Sequence, residues 1–266
     1  MLHVNYAFVL DYARRFYPGG KILDFGCGDA ATVRAGLPLG LDIYGTDVFY
    51  GAGHDLRPEL KDAGLLEVRV FEMVDHHRIP FPDRCFDFIF HNQVIEHIED
   101  LDGVLTEIER VLKDDGLMLS LFPSKESIVE GHCRIPFAHR FRHDSSIGFT
   151  YVHALRRMGF GTHHGDKTTE QWTRDFMDWI HHWCHYRSKI ETRDAYQRAG
   201  FSFERREIDY VKFRLEYTRR AWLAPFFAIS PGLTSFAFSE LGGMVVMSRK
   251  SKNTKTLKQA RFASTR

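Results

Sequence analysis

Apolar positions along the first half of the chain alternate between two rhythms. Tyr6, Val9, Leu10, Ala13 and Phe16 recur at helical spacing, and Pro18-Gly19-Gly20 ends that element. The β-favouring run Lys21–Phe25 follows, then a short helix over residues 30–35. Residues 41–46 form a second strand that leads to Asp47, residues 54–64 a polar connection with a short helix, and residues 68–71 a third strand. A proline-rich loop over 79–85 feeds a fourth strand, which ends at His91 and Asn92. Leu101, Val104, Leu105, Ile108, Val111 and Leu112 make an amphipathic helix stopped near Gly116, and residues 117–122 a fifth strand closed by Pro123. Strands alternating with helices in this way predict a parallel α/β sheet with right-handed crossovers.

Beyond residue 124 the rhythm breaks. As far as about residue 190 the chain is rich in His, Arg, Trp and Phe and shows no strand pattern. Trp172, Phe176, Trp179, Ile180 and Trp183 share one helical face, which reads as a helix packing an aromatic stripe on the domain or, alternatively, as a lid lining the substrate. Order returns with residues 195–199 and Gly200-Phe201. In Glu207–Tyr217, Val211, Phe213, Leu215 and Tyr217 alternate as a strand, and residues 242–247 supply a last one. The expected division is a single domain over 1–248, with its core in 20–123 and 192–248, an insertion or lid in 124–191, and a basic tail in 249–266.

Composition narrows the classes. The 266 residues are 44% apolar with a formal charge of +1, which fits a folded core and excludes a broadly cationic nucleic-acid binder. The tail gathers seven Lys and Arg without an acid, the pattern of a solvated terminus or a phosphate contact. Cys27, Cys85, Cys133 and Cys184 are widely spaced, so no disulfide framework is expected and a reducing, cytoplasmic setting fits. Neither a secretory leader nor a run of ~18 apolar residues is visible, so no transmembrane segment is expected. Residues 219–227 pair arginines with aromatic residues, which leaves room for peripheral contact with a membrane beside the plainer readings of core packing or a dimer contact. Monomer and homodimer both fit.

Candidate chemistry gathers where strands end. Lys21–Phe25 runs through Asp24 into Gly26-Cys27-Gly28, a strand closing in a tight turn. With no Cβ at Gly26 or Gly28, the backbone can turn sharply and a ligand can lie against it. Asp24 would face the crevice above the strands' carboxyl ends, where open sheets bind ligands, and a carboxylate there suits a positive group. Gly26-x-Gly28-x-x-Ala31 with Asp47 downstream also meets a loose dinucleotide fingerprint. Asp24, however, stands where a dinucleotide strand stays apolar.

Five motifs in order resemble the class I S-adenosylmethionine-dependent methyltransferases of the small-molecule type. They are Asp24-Phe25-Gly26-Cys27-Gly28, Asp47, Ile79-Pro80-Phe81-Pro82-Asp83 with Phe86-Asp87, Asn92 through Asp100 with its Glu96-His97, and Leu112-Lys113-Asp114-Asp115-Gly116. The resemblance covers about residues 21–122. It implies a Rossmann-like, mostly parallel seven-stranded sheet with helices on both faces and a helical, aromatic-rich insertion after the fifth strand. It also implies S-adenosylmethionine as cofactor and a small-molecule or glycan/lipid-intermediate acceptor, with oxygen the expected atom. By the same resemblance Gly26, Cys27 and Gly28 cradle the methionine part, Asp24 lies near its ammonium, and Asp47, followed by Val48, accepts the ribose hydroxyls. Val74, Asp75 and His76 line the adenine side, and Asn92 and Gln93 open toward the methyl group. A catalytically silent cofactor-binding scaffold is the alternative, and the intact glycines and both acids count against it.

An activated sulfonium leaves the protein mainly to align the acceptor and exclude water, and a base is needed only for a hydroxyl-type acceptor. The candidates are His97 and, in the loop after the fifth strand, Glu130, His132 and His139. Metal sets drawn from His132, Cys133, His139 and His143, or from His181, His182, Cys184 and His185, lack standard ligand spacing, so no metal is expected.

Overall fold

The central strands are apolar on both faces, as parallel strands covered by helices must be. In the computed structural model, which describes residues 2–49, 55–74, 77–162 and 165–251, seven strands form one sheet in the order β3-β2-β1-β4-β5-β7-β6. They are β1 (Lys21–Phe25), β2 (Asp42–Asp47), β3 (Val70–Glu72), β4 (Phe86–Asn92), β5 (Leu112–Phe122), β6 (Glu204–Arg205) and β7 (Met244–Arg249). The first five run parallel, while β7 lies antiparallel to both β5 and β6. The strand order reverses between β1 and β4, which places a ligand crevice above their carboxyl ends.

Alternation along the strands divides the core between two faces. Ile22, Phe88, Phe90, Leu119 and Leu121 pack beneath α1 (Val4–Phe16), α2 (Ala31–Gly36) and residues that lead to α3 (Arg57–Asp62). Leu23, Ile89, Met118 and Phe122 pack on the other face beneath α4 (Leu101–Val111). The stripe Leu101, Val104, Leu105, Ile108 and Val111 is buried along α4, and the Asp100 side chain caps its first turn. After β5 come α5 (Ser146–Arg157) and α6 (Thr169–Trp183), which share an apolar cluster of their own built on Ile135, Val152, Trp172, Phe176 and Ile180. Trp183 points outward, so the aromatic stripe is mostly core. The chain then returns through α7 (Lys189–Arg198), opened by a capping box at Ser188 and Glu191, whose Ala195 and Tyr196 join the α4 face. It continues with α8 (Glu207–Tyr217), α9 (Ala224–Ala228) and α10 (Pro231–Leu241).

Three local readings change. Glu207–Tyr217 is a helix: Glu207, Tyr210, Val211 and Leu215 are its buried residues, at helical spacing, and Val211, Phe213, Leu215 and Tyr217 alternate only incidentally. Glu207 and Asp209 in its first turn and Arg214 in its last also suit the helix dipole. β5 starts at Leu112, directly after α4, and a register shift opposite Phe86–Phe88 absorbs the polar residues before Gly116. Arg249 completes β7 and Lys250 bridges Phe201, so both belong to the sheet, while residues 252–266 lie outside the described residues.

Candidate active site

At the carboxyl end of β1 the chain turns through Gly26 (φ +74°) and Gly28 (φ +51°), left-handed conformations that favour glycine. A side chain at Gly26 would strike Val94, whereas the space beside Gly28 is open. The N–H groups of Gly26 and Cys27 donate to the Thr46 carbonyl at 2.8 and 3.2 Å, which ties the loop to β2. β2 must then be bare where Cys27 crosses it, since a Cβ on Gly45 would lie 2.7 Å from Cys27 Sγ.

The two strand-end acids differ sharply. Among the described residues, three backbone donors hold Asp47: Gly28 N–H to Oδ2 at 2.8 Å, and Val48 and Phe49 N–H to Oδ1 at 2.7 and 3.3 Å. A carboxylate has about four lone-pair positions, so Oδ2 keeps one to offer a ligand. Asp24 is only 4% exposed and has the Thr32 hydroxyl for its side-chain partner. Burial, then the charges of Asp47 and Asp29, push its pKa well above the ordinary carboxylate value. The Tyr6 hydroxyl of α1 feels the Asp24 charge, which places α1 over this end of the crevice.

Residues 23–120 match the family model described as a methyltransferase domain. Over 102 residues the chain is 34% identical to the sterol 24-C-methyltransferase ERG6B of Gibberella zeae, covering 38% of this chain and 27% of that protein. It is 32% identical over 112 residues to the ubiquinone/menaquinone biosynthesis C-methyltransferase UbiE of Burkholderia mallei, covering 41% of this chain and 45% of that one. The chain thus spans less than half the length of either relative. An S-adenosylmethionine-dependent methyltransferase from Mesorhizobium loti has the same fold, with a TM-score of 0.51 at 16% identity over 93% of this chain and all of that one. Residues 23–120 thus match a methyltransferase domain, on a fold shared with an S-adenosylmethionine-dependent methyltransferase.

The crevice of this methyltransferase domain fits that cofactor. Among the described residues, open space beside Gly28 leaves room for a ligand against the backbone, Asp24 offers a buried carboxylate with no cation beside it, and Asp47 keeps a free acceptor position. Val74 is half exposed and bridges Arg78, while Asp75 and His76 lie outside the described residues. Asn92 accepts from the Asn5 side chain at 2.7 Å, which fastens α1 to the end of β4. The Pro-Phe-Pro-Asp loop is held from below by Arg110, whose guanidinium donates to the Ile79 and Phe81 carbonyls and to Asp83. That motif therefore lies at the amino end of β4, where Phe81 packs beside Lys21 at the start of β1, and it braces the sheet on the side away from the crevice.

A second cluster borders the first. Val94 covers Gly26, and a Cβ on Gly131 would lie 3.9 Å from Gln93 Oε1, so the loop after β5 adjoins the end of β4. Buried Glu130 accepts from His132 Nδ1 at 2.7 Å, from the His132 and Cys133 N–H groups at 2.8 and 2.6 Å, and from the Tyr186 hydroxyl at 2.7 Å. Burial raises its pKa, but these donors, His132 foremost, bring it down to about 2. His132 Nε2 faces His97 Nε2 at 3.3 Å, and Trp179 packs edge-on against both rings. His97, Glu130 and His132 thus converge. His139 does not join them: its Nε2 meets the Lys125 carbonyl at 3.1 Å and its ring lies against Tyr186, which makes it a support. Neither metal set drawn from sequence order converges, since Cys133 is buried in the insertion and His143 stacks on His181.

Sequence reasoning missed Tyr6, Thr32, Cys184 as a neighbour of His97, and Tyr186, and it named Trp179 only as part of the helical stripe. Tyr186 lies 56 residues from Glu130, a separation no local pattern encodes. Glu96 stood inside a quoted motif without a role. It is 2% exposed, neither carboxyl oxygen finds a hydrogen-bond partner among the other described residues, and burial raises its pKa to about 8.

Proposed function

We propose that the protein moves a methyl group from S-adenosylmethionine to an oxygen of a small-molecule acceptor carried on, or dissolved in, a lipid surface. The observation that carries the reading is the Glu130–His132 pair beside Gln93. An ionised carboxylate holds Nδ1 protonated and leaves Nε2 as a lone pair at the mouth, the arrangement of a general base. When bound, the cofactor supplies an activated methyl group on sulfur. The chain's part is to seat it on Gly26–Gly28, orient the acceptor between Gln93 and His132, and take the hydroxyl proton at Nε2.

The lipid side of the reading rests on α9 and α10. Trp222, Phe226, Ile229, Leu233, Phe236 and Leu241 are more than half exposed, next to Arg219 and Arg220. Among the described residues no single helix is long and apolar enough to cross a membrane, and the segments Ala221–Ala228 and Pro231–Leu241 bend by 113°, a geometry suited to lying at an interface. α10 also reaches the acceptor side, since Ile128 N–H donates to the Glu240 carbonyl two residues before Glu130. The sterol and quinone relatives, both named as C-methyltransferases, support a lipid-class acceptor but not the choice of oxygen, which rests on the Glu130–His132 pair alone.

The test is incubation with methyl-labelled S-adenosylmethionine and fractionated lipid and aqueous metabolite extracts, read by mass spectrometry. A methylated product from the lipid fraction is expected. Product from the aqueous fraction alone would overturn the lipid side. Tight cofactor binding with no product from either would favour the scaffold.

A further inference from the structure

The His97–His132 pair contains a conflict that the methyl-transfer reading leaves unresolved. His132 Nδ1 donates to Glu130, and His97 Nδ1 donates to the Trp183 carbonyl at 2.6 Å. Both acceptors lack a hydrogen to give, so both rings are fixed in the Nδ1–H form. Their Nε2 lone pairs then face each other at 3.3 Å, which is repulsive unless something positive lies between. Cys184 Sγ stands beside them, 3.9 Å from His97 Nδ1, and one ligand atom from each of the three residues lies within 4.8 Å of the others.

From this geometry we infer that His97, His132 and Cys184 form a binding site for a divalent transition ion of the zinc type. Zinc–nitrogen bonds of about 2.0–2.1 Å at a tetrahedral angle put two ligand nitrogens about 3.3 Å apart, which is the separation found. With a zinc–sulfur bond of about 2.3 Å, nitrogen and sulfur stand about 3.5 Å apart; Sγ now lies beside Nδ1 of the His97 ring, so the Cys184 side chain must turn toward Nε2 to complete the set. The surroundings match what such sites need. Each imidazole donates its other nitrogen to an acceptor, one of them a carboxylate, which orients the ring toward the metal. One thiolate and the Glu130 carboxylate offset the ion's two charges. The Glu96 carboxyl is buried beside the cluster without a partner, and its main-chain oxygen accepts from His185, the residue after Cys184.

The site is also preassembled. The Arg187 guanidinium donates to the carbonyls of Ile95, Ile98, Glu99 and His185, so the segments that carry His97 and Cys184 are fastened together without the ion. Three protein ligands leave a fourth position open, the pattern of sites that engage a substrate. Loaded, the cluster would polarise an acceptor oxygen at that position; unloaded, it offers the base described above. The inference does not depend on the methyl-transfer reading, because metal binding is read without an acceptor.

The test uses the full chain, stripped of metal with a chelator and titrated with Co²⁺, followed by absorbance and by competition with Zn²⁺. Expected are one equivalent of tightly bound Co²⁺, intense tetrahedral d–d bands, a thiolate-to-cobalt charge-transfer band, and displacement by Zn²⁺. Cys184→Ser should remove the charge-transfer band. His97→Ala and His132→Ala should each weaken binding at least 100-fold, and Glu130→Gln by about 10–100-fold, while His181→Ala leaves the spectrum unchanged. S-adenosylhomocysteine affinity, measured on every variant, reports an intact fold. No d–d bands in the parent, or bands that survive both Cys184→Ser and His97→Ala, would overturn the inference. A shared proton would then be what separates the two lone pairs.

Discussion

Asp24→Asn separates stability from cofactor binding at the heart of the crevice. The carboxyl is buried, has the Thr32 hydroxyl beside it, and sits within reach of the Asp47 and Asp29 charges. Its raised pKa means that the folded protein holds the proton more tightly than the unfolded chain. The stabilisation from that proton is complete below the unfolded value of 3.8 and is lost as pH rises through the folded one. Above that window an ionised, uncompensated carboxylate remains in the crevice. The variant keeps the shape and removes the charge, so without cofactor at pH 8 it should be more stable than the parent by about 1–3 kcal/mol, the usual cost of a buried group left unpaired.

Cofactor reverses the order of merit. If the ionised group meets the ligand's ammonium, its loss should cost about 1.5–3 kcal/mol, or roughly 10- to 150-fold in Kd. At a concentration 100 times the parent's Kd, ligand adds about 2.7 kcal/mol to the parent but only about 0.3–1.4 kcal/mol to the variant. Urea denaturation of both proteins, with and without S-adenosylhomocysteine, should therefore show the variant's lead shrinking by about 1.3–2.4 kcal/mol. A variant that is less stable alone and gains as much from the ligand as the parent would refute the reasoning.

Asp47→Ala frees three loop N–H groups as well as the ribose acceptor; calorimetry should show cofactor weakened by about 1–3 kcal/mol, and unchanged affinity in a folded variant would move the ribose elsewhere. Buried His91, whose Nε2 lies 3.0 Å from the Tyr196 hydroxyl, has its pKa lowered from 6.5 to about 3 by burial. Its contribution to stability is complete above pH 6.5 and falls by about 1.4 kcal/mol per unit below it. The parent should thus lose about 2 kcal/mol more than His91→Leu between pH 6.5 and 5, and parallel urea midpoints would contradict this. His132→Ala should slow single-turnover transfer to an oxygen acceptor by roughly 10²–10⁴ with cofactor affinity nearly unchanged; parent-like turnover would remove it from the chemistry. Trp222→Glu with Phe226→Glu should abolish flotation with vesicles containing anionic lipid while leaving cofactor affinity intact, and retained flotation would detach α9 from the lipid reading.

The turn after β1 and the two strand-end acids were legible because their spacing is local. Asp24, Gly26 and Gly28 lie within five residues, and Asp47 closes the next strand, so spacing alone brings them together once β1 and β2 pair in register. Helix against strand was harder where one apolar set satisfied both periods. In Glu207–Tyr217 the alternation of Val211, Phe213 and Leu215 hid the helical spacing of the buried residues Glu207, Tyr210, Val211 and Leu215.

The acceptor side obeys a different logic. Glu130, His132, His97, Cys184 and Tyr186 come from three segments, and only tertiary contacts decide which titratable residues meet. Sequence order grouped Cys184 with its neighbours His181, His182 and His185, yet α6 ends one residue before it, and the extended backbone there turns the thiol toward His97. Arg187, three residues on, spends its hydrogen bonds on four carbonyls, a use that residue type alone does not reveal. A guanidinium so placed fixes the relation between β4's end and the close of the insertion before any ligand arrives. The candidate cofactor half of the site is thereby encoded by turn chemistry, and the His97–Glu130–His132 cluster by the assembly of residues 124–191 on the sheet. Substitutions in the two halves should accordingly divide, the first moving cofactor affinity and the second moving turnover and metal binding.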